Sequence, residues 1–357
     1  MLGTGGVRAR LPVRASALPG VSAGWAIGAG LFVVVSTVLG LALGPVGFGP
    51  GRVVSEVLSH VPLLGVDSSF SRTEDAILWD LRAPRVALGL LVGAMLASAG
   101  AAYQGVFRNP LADPYLLGVA AGAGLGATVA ITYGGERAGG FVLPLAAFAG
   151  AVAAVVLAYG VGSSIGGERT AATLILAGVT VAAFFTAVQT FVQQRHTETL
   201  NEVYAWLLGG LGTAGWREPA LVAPYVVLAG AVLLAHRRAL DVLAVGDEEA
   251  RSLGLDVRRT RLVIVACATL GTAAAVAVSG LIGFVGIIVP HLVRLLVSPS
   301  YRVVAPLSVV VGAAFLVLAD VVARTVLSPA ELPIGVVTAF VGAPFFALVL
   351  RTSRSAA

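Results

Sequence analysis

The chain has 357 residues, of which 58% are hydrophobic and 11% are charged, and its mean hydropathy is +0.95. This composition excludes an ordinary soluble domain and predicts an all-α, multi-pass membrane protein. The net charge of +5 does not indicate nucleic-acid binding, because the arginines, which are all of the basic residues, collect in the loops between apolar segments, as membrane topology demands. One cysteine and four histidines supply neither a disulfide framework nor a Cys/His metal site, so we predict no metal.

Ten apolar segments are predicted to cross the membrane as helices. They lie near residues 21–44, 86–107, 115–133, 141–162 and 171–193, in a sixth segment that ends near 236, and near 262–279, 281–297, 303–323 and 333–351. Several are shorter than the roughly 20 residues that a straight span needs, so nine to eleven spans fit the pattern. We therefore divide the chain into an N-terminal tail (1–20), one transmembrane domain (21–351) with a cytoplasmic loop (237–261), and a C-terminal tail (352–357).

The distribution of arginine predicts the orientation. With ten spans and a cytoplasmic N-terminus, fifteen of the 23 arginines fall on the cytoplasmic side and eight outside. This is the bias expected of a protein in the cell membrane, and it places both termini and the 237–261 loop in the cytoplasm.

The stretch from His236 to Arg261 is a polar island that holds 11 of the 41 charged residues. Gly246 can form a turn, and the three acids that follow it suit the first turn of a helix. Arg251 lies four residues after Asp247, where the two can pair, and Gly254 can end the helix. A short helix here could dock a soluble partner; the alternative is a solvated loop that only fixes topology.

Three other stretches contain unusual polar or glycine patterns. Residues 108–114, with the sequence RNPLADP, predict a tight turn closed by Asn and Asp side chains. Residues 279–294, SGLIGFVGIIVPHLVR, contain glycines that permit close packing or an irregular backbone, and His291 there is better explained as a structural residue than as a ligand. In the third stretch, residues 319–324 with the sequence ADVVAR, Asp320 and Arg324 are four residues apart and can pair on one helix face.

These stretches together resemble the FecCD-type permeases, the membrane subunits of ABC importers for iron-siderophores, haem and cobalamin. The matching blocks are LRAPR, RNPLADP, LAVGDEEARSLGL, GFVGIIVPHLVR, ADVVAR and ELPIGVVTAFVGAPFF, which occur in family order from residue 81 to about 350. The resemblance implies ten helices in the type II importer fold, a homodimeric or heterodimeric permease, two cytoplasmic ATPases and an extracytoplasmic substrate-binding protein.

The resemblance also implies roles for individual residues. ATPase coupling falls on Gly246, Asp247, Glu248, Glu249, Ala250, Arg251, Leu253, Gly254 and Leu255. Docking of the binding protein falls on Arg82, Arg85 and Arg324, since arginine forms bidentate pairs with carboxylates; contact with lipid headgroups is the alternative. The cytoplasmic gate falls on Asn109, Leu111, Ala171 and Ala172.

Two points concern the path and the gate. Thr186, Gln189, Thr190 and Gln193 cluster on one helix face and could line a translocation path, or they could form hydrogen bonds between helices. The cobalamin permeases carry hydroxyl residues where this chain has Ala171 and Ala172, which argues weakly against a close cobalamin permease.

The sequence contains no G-x-x-x-x-G-K-[ST] motif and no lysine, so we expect no ATP binding by that route, no cofactor in this chain, and ATP with Mg²⁺ on the partner ATPase. A secondary transporter is less well supported, because Asp113, Asp320 and Glu331 lie near the ends of spans. A membrane enzyme would need a cluster of catalytic groups that the composition does not supply. For the cargo we expect a ferric siderophore first, haem second and cobalamin third.

Overall fold

The computed structural model describes residues 20–61, 67–135, 140–164, 171–212 and 215–354, and within these ranges the fold is all-helical. The α-helices are α1 (Ala23–Ala42), α2 (Pro50–Ser59), α3 (Arg72–Ala76), α4 (Ala83–Phe107), α5 (Val119–Gly134), α6 (Val142–Ser164), α7 (Ala171–Arg195), α8 (Leu200–Leu207), α9 (Arg217–Ala235), α10 (Arg237–Val245), α11 (Asp247–Ser252), α12 (Val257–Ser279), α13 (Val285–Leu296), α14 (Tyr301–Thr325) and α15 (Ile334–Arg354). A π-helical segment, Ile77–Arg82, joins α3 to α4, and 3₁₀ turns occupy Pro114–Leu117 and Thr197–Thr199.

The ten predicted apolar segments each correspond to one helix. Seven helical stretches, which contain α1, α4, α6, α7, α9, α12 and α14, are long and apolar enough to cross a membrane. The other three helices, α5, α13 and α15, are apolar, but their apolar helical stretches are shorter than those of the seven. The remaining helices are short and lie in the connecting segments, as the polar composition of those segments predicts.

Helix α4 lies at the centre of the bundle, in contact with α9, α12, α13 and α14. The continuous helix Arg72–Phe107 contains α4, and 78% of its apolar stretch is buried. The corresponding share is 67% in both α12 and α14. Glycine makes this possible: a Cβ on Gly100 would lie 2.0 Å from the carbonyl oxygen of Gly286, so only glycine permits the approach of α13. The predicted role of Gly286 in close packing is confirmed.

The helices at the periphery have the opposite character. Only 22–28% of the apolar stretch is buried in α1, α6, α7 and α9. Large side chains such as Ile27, Val156, Phe184 and Leu228 are exposed on them. In a membrane these faces meet hydrocarbon or another apolar subunit, because an α-helix satisfies its own backbone hydrogen bonds.

Two helix boundaries differ from the predictions. The helix predicted to start at 86 is continuous from Arg72, because the π-helical segment connects α3 to α4 without a break. The segment predicted at 281–297 becomes helical only at Val285. Gly280 and Phe284 have φ of +67° and +68°, and the backbone between them is not helical. The predicted irregular backbone is therefore present.

Candidate functional site

The two ends of α4 mark the two regions to which the sequence assigned functional residues. Arg82 precedes its first residue and Arg108 follows its last. Twenty-five residues of α-helix span roughly 37 Å. Arg108 forms an ion pair with Asp247 of α11, at 3.3 Å between Nη2 and Oδ1. The polar loop and the arginine cluster thus lie at opposite ends of the central helix.

Asp247, the first residue of α11, is bound to two helices of the bundle. In addition to Arg108, its Oδ1 accepts a hydrogen bond from Arg261 Nη2 of α12 at 2.8 Å. The predicted pair with Arg251 is wrong, because the Asp247 side chain points towards these two partners and Arg251 is exposed. A partly buried carboxylate gains more from two neighbouring cations than from one solvated arginine on its own helix.

Gly254 terminates helix α11, as the sequence predicted. The N–H of Leu255 donates to the carbonyl of Ala250 at 3.0 Å, and the N–H of Gly254 donates to that of Arg251 at 2.9 Å. These two bonds define a Schellman motif, and Gly254 has the φ of +83° that the motif needs. Ala250, on the inner face of α11, is fully buried, so the helix is held in one position.

The opposite face of α11 is exposed and combines apolar and acidic side chains. Val245 and Leu253, on either side of the helix, are 68% and 70% exposed. Glu248 and Glu249 lie between them in the sequence and are also exposed. Within the described part of the chain, no ion pair involves either glutamate. We name this surface, formed by Val245, Glu248, Glu249, Arg251 and Leu253, the α11 surface.

Helix α10 connects the α11 surface to α14 through Asp241, a residue that the sequence analysis did not select. Its carboxylate accepts hydrogen bonds from the backbone N–H of Tyr301 at 2.5 Å and from Ser300 Oγ at 2.9 Å. Arg302 Nε lies 3.6 Å from the same group. Asp241 is the sole acid between residues 236 and 246, which is a weak signal that it has a specific partner.

A second network at this end joins α4, α13 and α14. Arg294 donates from Nη1 to Gln104 Oε1 at 2.6 Å and from Nη2 to the hydroxyl of Tyr301 at 3.1 Å. The buried Gln104 also donates to the carbonyl of Gly286 at 3.0 Å. The sequence analysis placed Arg294 in a motif but did not predict these partners. His291 nearby packs edge-on against Phe345 at 6.0 Å, in agreement with a structural role.

At the other end of α4, Arg85 bridges two acids that are distant in sequence. Its Nη2 lies 2.8 Å from Asp320 Oδ1 and 2.9 Å from Glu331 Oε2. Arg324 approaches the same Asp320, at 3.4 Å between Nε and Oδ2, which confirms the pair predicted from their spacing. Arg324 also donates to the carbonyl of Gly40 at 2.5 Å, and both members of this pair are buried.

Arg82 is also buried, and its partners are backbone carbonyls. Its guanidinium donates to the carbonyls of Leu41 at 2.8 Å and Ala42 at 3.0 Å, and also to that of Val46. The group lies over the ring of Phe48, 4.4 Å from the centroid. It therefore satisfies the last carbonyls of α1 in the way that basic residues often do at a helix C-terminus.

The structure brings the three predicted docking arginines together around one depression of about 360 Å³. Its lining includes Pro45, Leu81, Gly212 and Glu331 as well as the arginines. Arg82 and Arg324 are only 5% and 3% exposed, and their guanidinium groups are already bound within the chain. Docking through these arginines remains a prediction, and the charged side chain most open to a partner here is Glu331, at 44% exposed.

The turn that contains the predicted gate residues Asn109 and Leu111 has the expected construction. Asn109 Oδ1 accepts from the N–H of Leu111 at 2.9 Å, and Asp113 Oδ1 accepts from that of Tyr115 at 2.7 Å. Burial raises the pKa of Asp113 to about 6, although the bond from Tyr115 opposes the shift. Ala172 is exposed in the first turn of α7, and the side chain of Ala171 lies outside the described residues. The gate assignment remains a prediction.

The four predicted path residues on α7 are divided between two environments. Thr186 and Thr190 are exposed, and Thr190 Oγ1 donates to the carbonyl of Thr186 at 2.9 Å. Gln189 is buried against Gly124 of α5, and Gln193 is partly buried. The predicted common polar surface therefore contains only the two threonines, and the lining of a path remains a prediction.

The apolar helices define a class of protein, the multi-pass membrane protein, and the exposed α11 surface at one end is suited to contact with a soluble partner. The model of the FecCD transport family matches residues 32–352, and the chain belongs to this family. Its members are permease subunits of ABC importers, which lack ATPase motifs, and the chain is a multi-pass membrane protein.

Relatives in the family are named for different cargoes. The chain is 46% identical over 279 residues to the cobalamin import system permease protein BtuC of Halobacterium salinarum. This alignment covers 78% of this chain and 74% of that protein. It is 39% identical to the iron(3+)-hydroxamate permease FhuB of Bacillus subtilis, over 80% of this chain and 73% of that protein. It is 38% identical to the hemin permease HmuU of Yersinia pestis, over 78% and 85%.

A solved structure agrees with the fold. It is described as an inward-facing conformation of a metal-chelate type ABC transporter, and it superimposes with a TM-score of 0.79 and 29% sequence identity. The match covers 91% of this chain and 98% of that chain. The predicted family and the all-α importer permease fold are confirmed.

Proposed function

We propose that this chain forms the translocation path of an ATP-driven importer and that its α11 surface docks a cytoplasmic ATPase. The observation that carries the proposal is the contrast between the two faces of α11. One face is fixed by Ala250, Asp247 and the Schellman motif. The other exposes Leu253 and Val245 beside two glutamates that form no ion pair with any described residue. A rigid knob with an apolar centre and charged surroundings is suited to a groove on a partner.

The bonds behind α11 provide a way for ATPase motion to reach the membrane. Asp247 is paired with Arg108 at the end of α4 and with Arg261 at the start of α12, and Asp241 holds the start of α14. These are the three helices with the largest buried share among the long spans. Movement of the α11 surface would therefore act on the core of the bundle and not on a peripheral helix.

The proposal includes two further kinds of partner. A second permease, identical or related, would cover part of the exposed apolar surface and complete a path at the subunit interface. An extracytoplasmic binding protein would dock over the depression at the other end, with Arg82 and Arg324 holding its walls and Arg85 with Glu331 at its mouth. The gate near Asn109, Leu111 and Ala172 and a path past Thr186 and Thr190 belong to the same proposal.

For the cargo we place cobalamin first and a ferric siderophore second. The specific observation in favour of cobalamin is the 46% identity to the halobacterial protein, compared with 39% for the hydroxamate permease and 38% for the hemin permease. The sequence alone favoured a siderophore, and the alanines at positions 171 and 172 still support that order. All these cargoes are large metal complexes that are delivered by a separate binding protein.

Reconstitution tests both parts of the proposal. The chain, with its cognate ATPase, would be placed in liposomes that contain ATP and Mg²⁺, with the binding protein and radiolabelled cobalamin or ferric hydroxamate outside. We expect uptake that requires ATP and is insensitive to protonophores. Uptake that is driven by an ion gradient without ATP would overturn the importer mechanism, and uptake of the ferric complex alone would overturn only the order of cargoes.

A further inference from the structure

The helices α2 and α3 carry a group of polar side chains that the transport proposal does not use. Glu56 and His60 are four residues apart, so they lie on the same face of α2. Asp75 of α3 lies opposite them. One ligand atom from each of the three residues lies within 4.8 Å of the other two. The site is at the same end of the bundle as the arginine depression, because α3 leads directly into Arg82.

The carboxylate of Glu56 gives the strongest indication of a ligand. The side chain is 1% exposed, and its Oε1 has no hydrogen-bond partner among the residues that the structure describes. Ser68 Oγ donates to the other oxygen, Oε2, and His60 Nδ1 lies 3.5 Å from Oε1. A buried carboxylate oxygen without a hydrogen bond is costly, and a bound cation removes that cost.

The structure around the three groups holds them in place. Arg52, one turn before Glu56 on the same face of α2, pairs with Glu74 at 3.0 Å. Glu74 is itself fixed by a capping box with Ser71, so the neighbouring Asp75 is carried on a defined helical turn. The ring of His60 packs on Trp79, with 4.8 Å between centroids. The helices are therefore already apposed before any ligand binds.

We propose that Glu56, His60 and Asp75 bind a Zn²⁺ ion that fastens α2 to α3. An imidazole and two carboxylates provide three protein ligands, and a water molecule can complete the tetrahedral shell that zinc prefers. In a tetrahedral shell with bonds of about 2.0–2.2 Å, two ligand atoms lie about 3.3–3.6 Å apart, so side-chain movements of about 1 Å would bring the three ligand atoms from within 4.8 Å of one another into the shell. The two negative charges of the site match the charge of the ion.

This inference is independent of the cargo and of ATPase docking. It concerns the segment between α1 and α4, where Phe48 belongs to a separate small core and the partly buried Phe70 and Trp79 pack against that core. A zinc ion would add a cross-link between α2 and the turn that leads into α4, and so would stabilise the wall of the arginine depression. This proposal departs from the sequence analysis, which predicted no metal: the three ligands include no cysteine and come from two helices separated along the chain.

Metal analysis of the full-length chain tests the proposal. The protein would be purified in detergent with a tag that contains no histidine, treated with EDTA, dialysed against micromolar ZnCl2 and analysed by plasma mass spectrometry. We expect about one zinc per chain, and a melting temperature that rises with zinc. His60→Ala and Asp75→Asn should each weaken binding by at least about tenfold, since even outer-shell partners change metal affinity by roughly 10–100-fold.

His196→Ala is the matched control. His196 also lies 3.2 Å from a carboxylate, that of Glu198, but the described residues place no third ligand beside this pair. The control should bind zinc like the wild type. Two results would overturn the proposal: no zinc in the wild type above the level in His60→Ala, or undiminished binding in both His60→Ala and Asp75→Asn. Two site variants are included so that the test remains decisive if one of them does not fold.

Discussion

The two ends of α4 contain similar kinds of charged residue and use them in opposite ways. At the arginine depression, Arg82 and Arg324 are buried, and their guanidinium groups bind carbonyls or Asp320 of the same chain. At the α11 surface, Glu248 and Arg251 are exposed and form no ion pair within the described residues. Charge at the first end stabilises the fold, whereas charge at the second is free for a partner.

The difference follows from where the chain must neutralise its own charges. Asp320 lies inside α14 and is 2% exposed, so its carboxylate requires cations close by. Arg85 and Arg324 provide them, and removal of either leaves a buried charge. Glu248 and Glu249 of α11 lie on a face that water reaches, so they need no partner in the chain. The same residue types therefore have a structural role in one place and are suited to recognition in the other.

The largest effect on stability is expected for Arg324→Ala. This change leaves Asp320 with one cation and the carbonyl of Gly40 without its donor, and breaking a buried pair costs about 3–5 kcal/mol. Thermal unfolding in detergent would measure it. Arg251→Ala, an exposed arginine on α11, is the control and should change stability by no more than about 0.5 kcal/mol. Equal effects for the two variants would contradict the comparison.

A smaller effect, and one that depends on pH, is expected at Asp113. Its pKa is raised to about 6 from its ordinary value near 4, so the folded chain holds a proton that the unfolded chain releases between these values. Stability therefore falls as the pH rises through this window, by about 1–3 kcal/mol in total. Asp113→Asn can still accept the bond from Tyr115 but cannot titrate.

The measurement is the free energy of unfolding of both proteins at pH 4 and pH 7. The wild type should lose more stability than Asp113→Asn between these pH values. An identical pH dependence in the two proteins would show that the buried carboxyl at this end does not hold the proton.

The smallest effect on stability is expected for Leu253→Ser on the α11 surface. The side chain is 70% exposed, so its removal should change the free energy of unfolding by no more than about 0.5 kcal/mol. ATP-driven uptake should nevertheless fall, because the apolar centre of the proposed interface is lost. Val54→Ser, which is 41% exposed on α2 and does not line the arginine depression, is the control for both measurements. Full uptake by Leu253→Ser would argue against the proposed docking face.

The local features of both ends could be predicted from the sequence, but their long-range partners could not. Glycine at position 254 indicated the end of α11, and the spacing of Asp320 and Arg324 indicated their pair, because both depend on residues a few positions apart. The bond between Arg85 and Asp320 joins residues 235 positions apart, and that between Arg261 and Asp247 replaced a local pair that was predicted. Packing of the helices decides such contacts.

The same reason explains why the prediction for α7 was only partly confirmed, whereas each of the ten predicted apolar segments matched a helix, seven of them long enough to cross a membrane. Apolar length alone identifies a helix that can cross the membrane, so each segment was found to within a few residues at most boundaries. Which face of α7 meets its neighbour depends on α5, where Gly124 leaves space for Gln189. The periodicity of α7 placed Thr186 and Gln189 near one another but contained no information about that space.

The central claim is that the exposed face of α11 binds the ATPase. Its most direct test is to co-express Glu248→Arg with the cognate ATPase and measure the ratio of ATPase to permease after purification through the permease. Glu202→Arg, which reverses an exposed glutamate on α8, is the matched control. The account predicts that Glu248→Arg loses at least about tenfold in affinity for the ATPase while retaining the wild-type melting temperature, and that the control retains both. Normal co-purification of the ATPase with Glu248→Arg would contradict the claim.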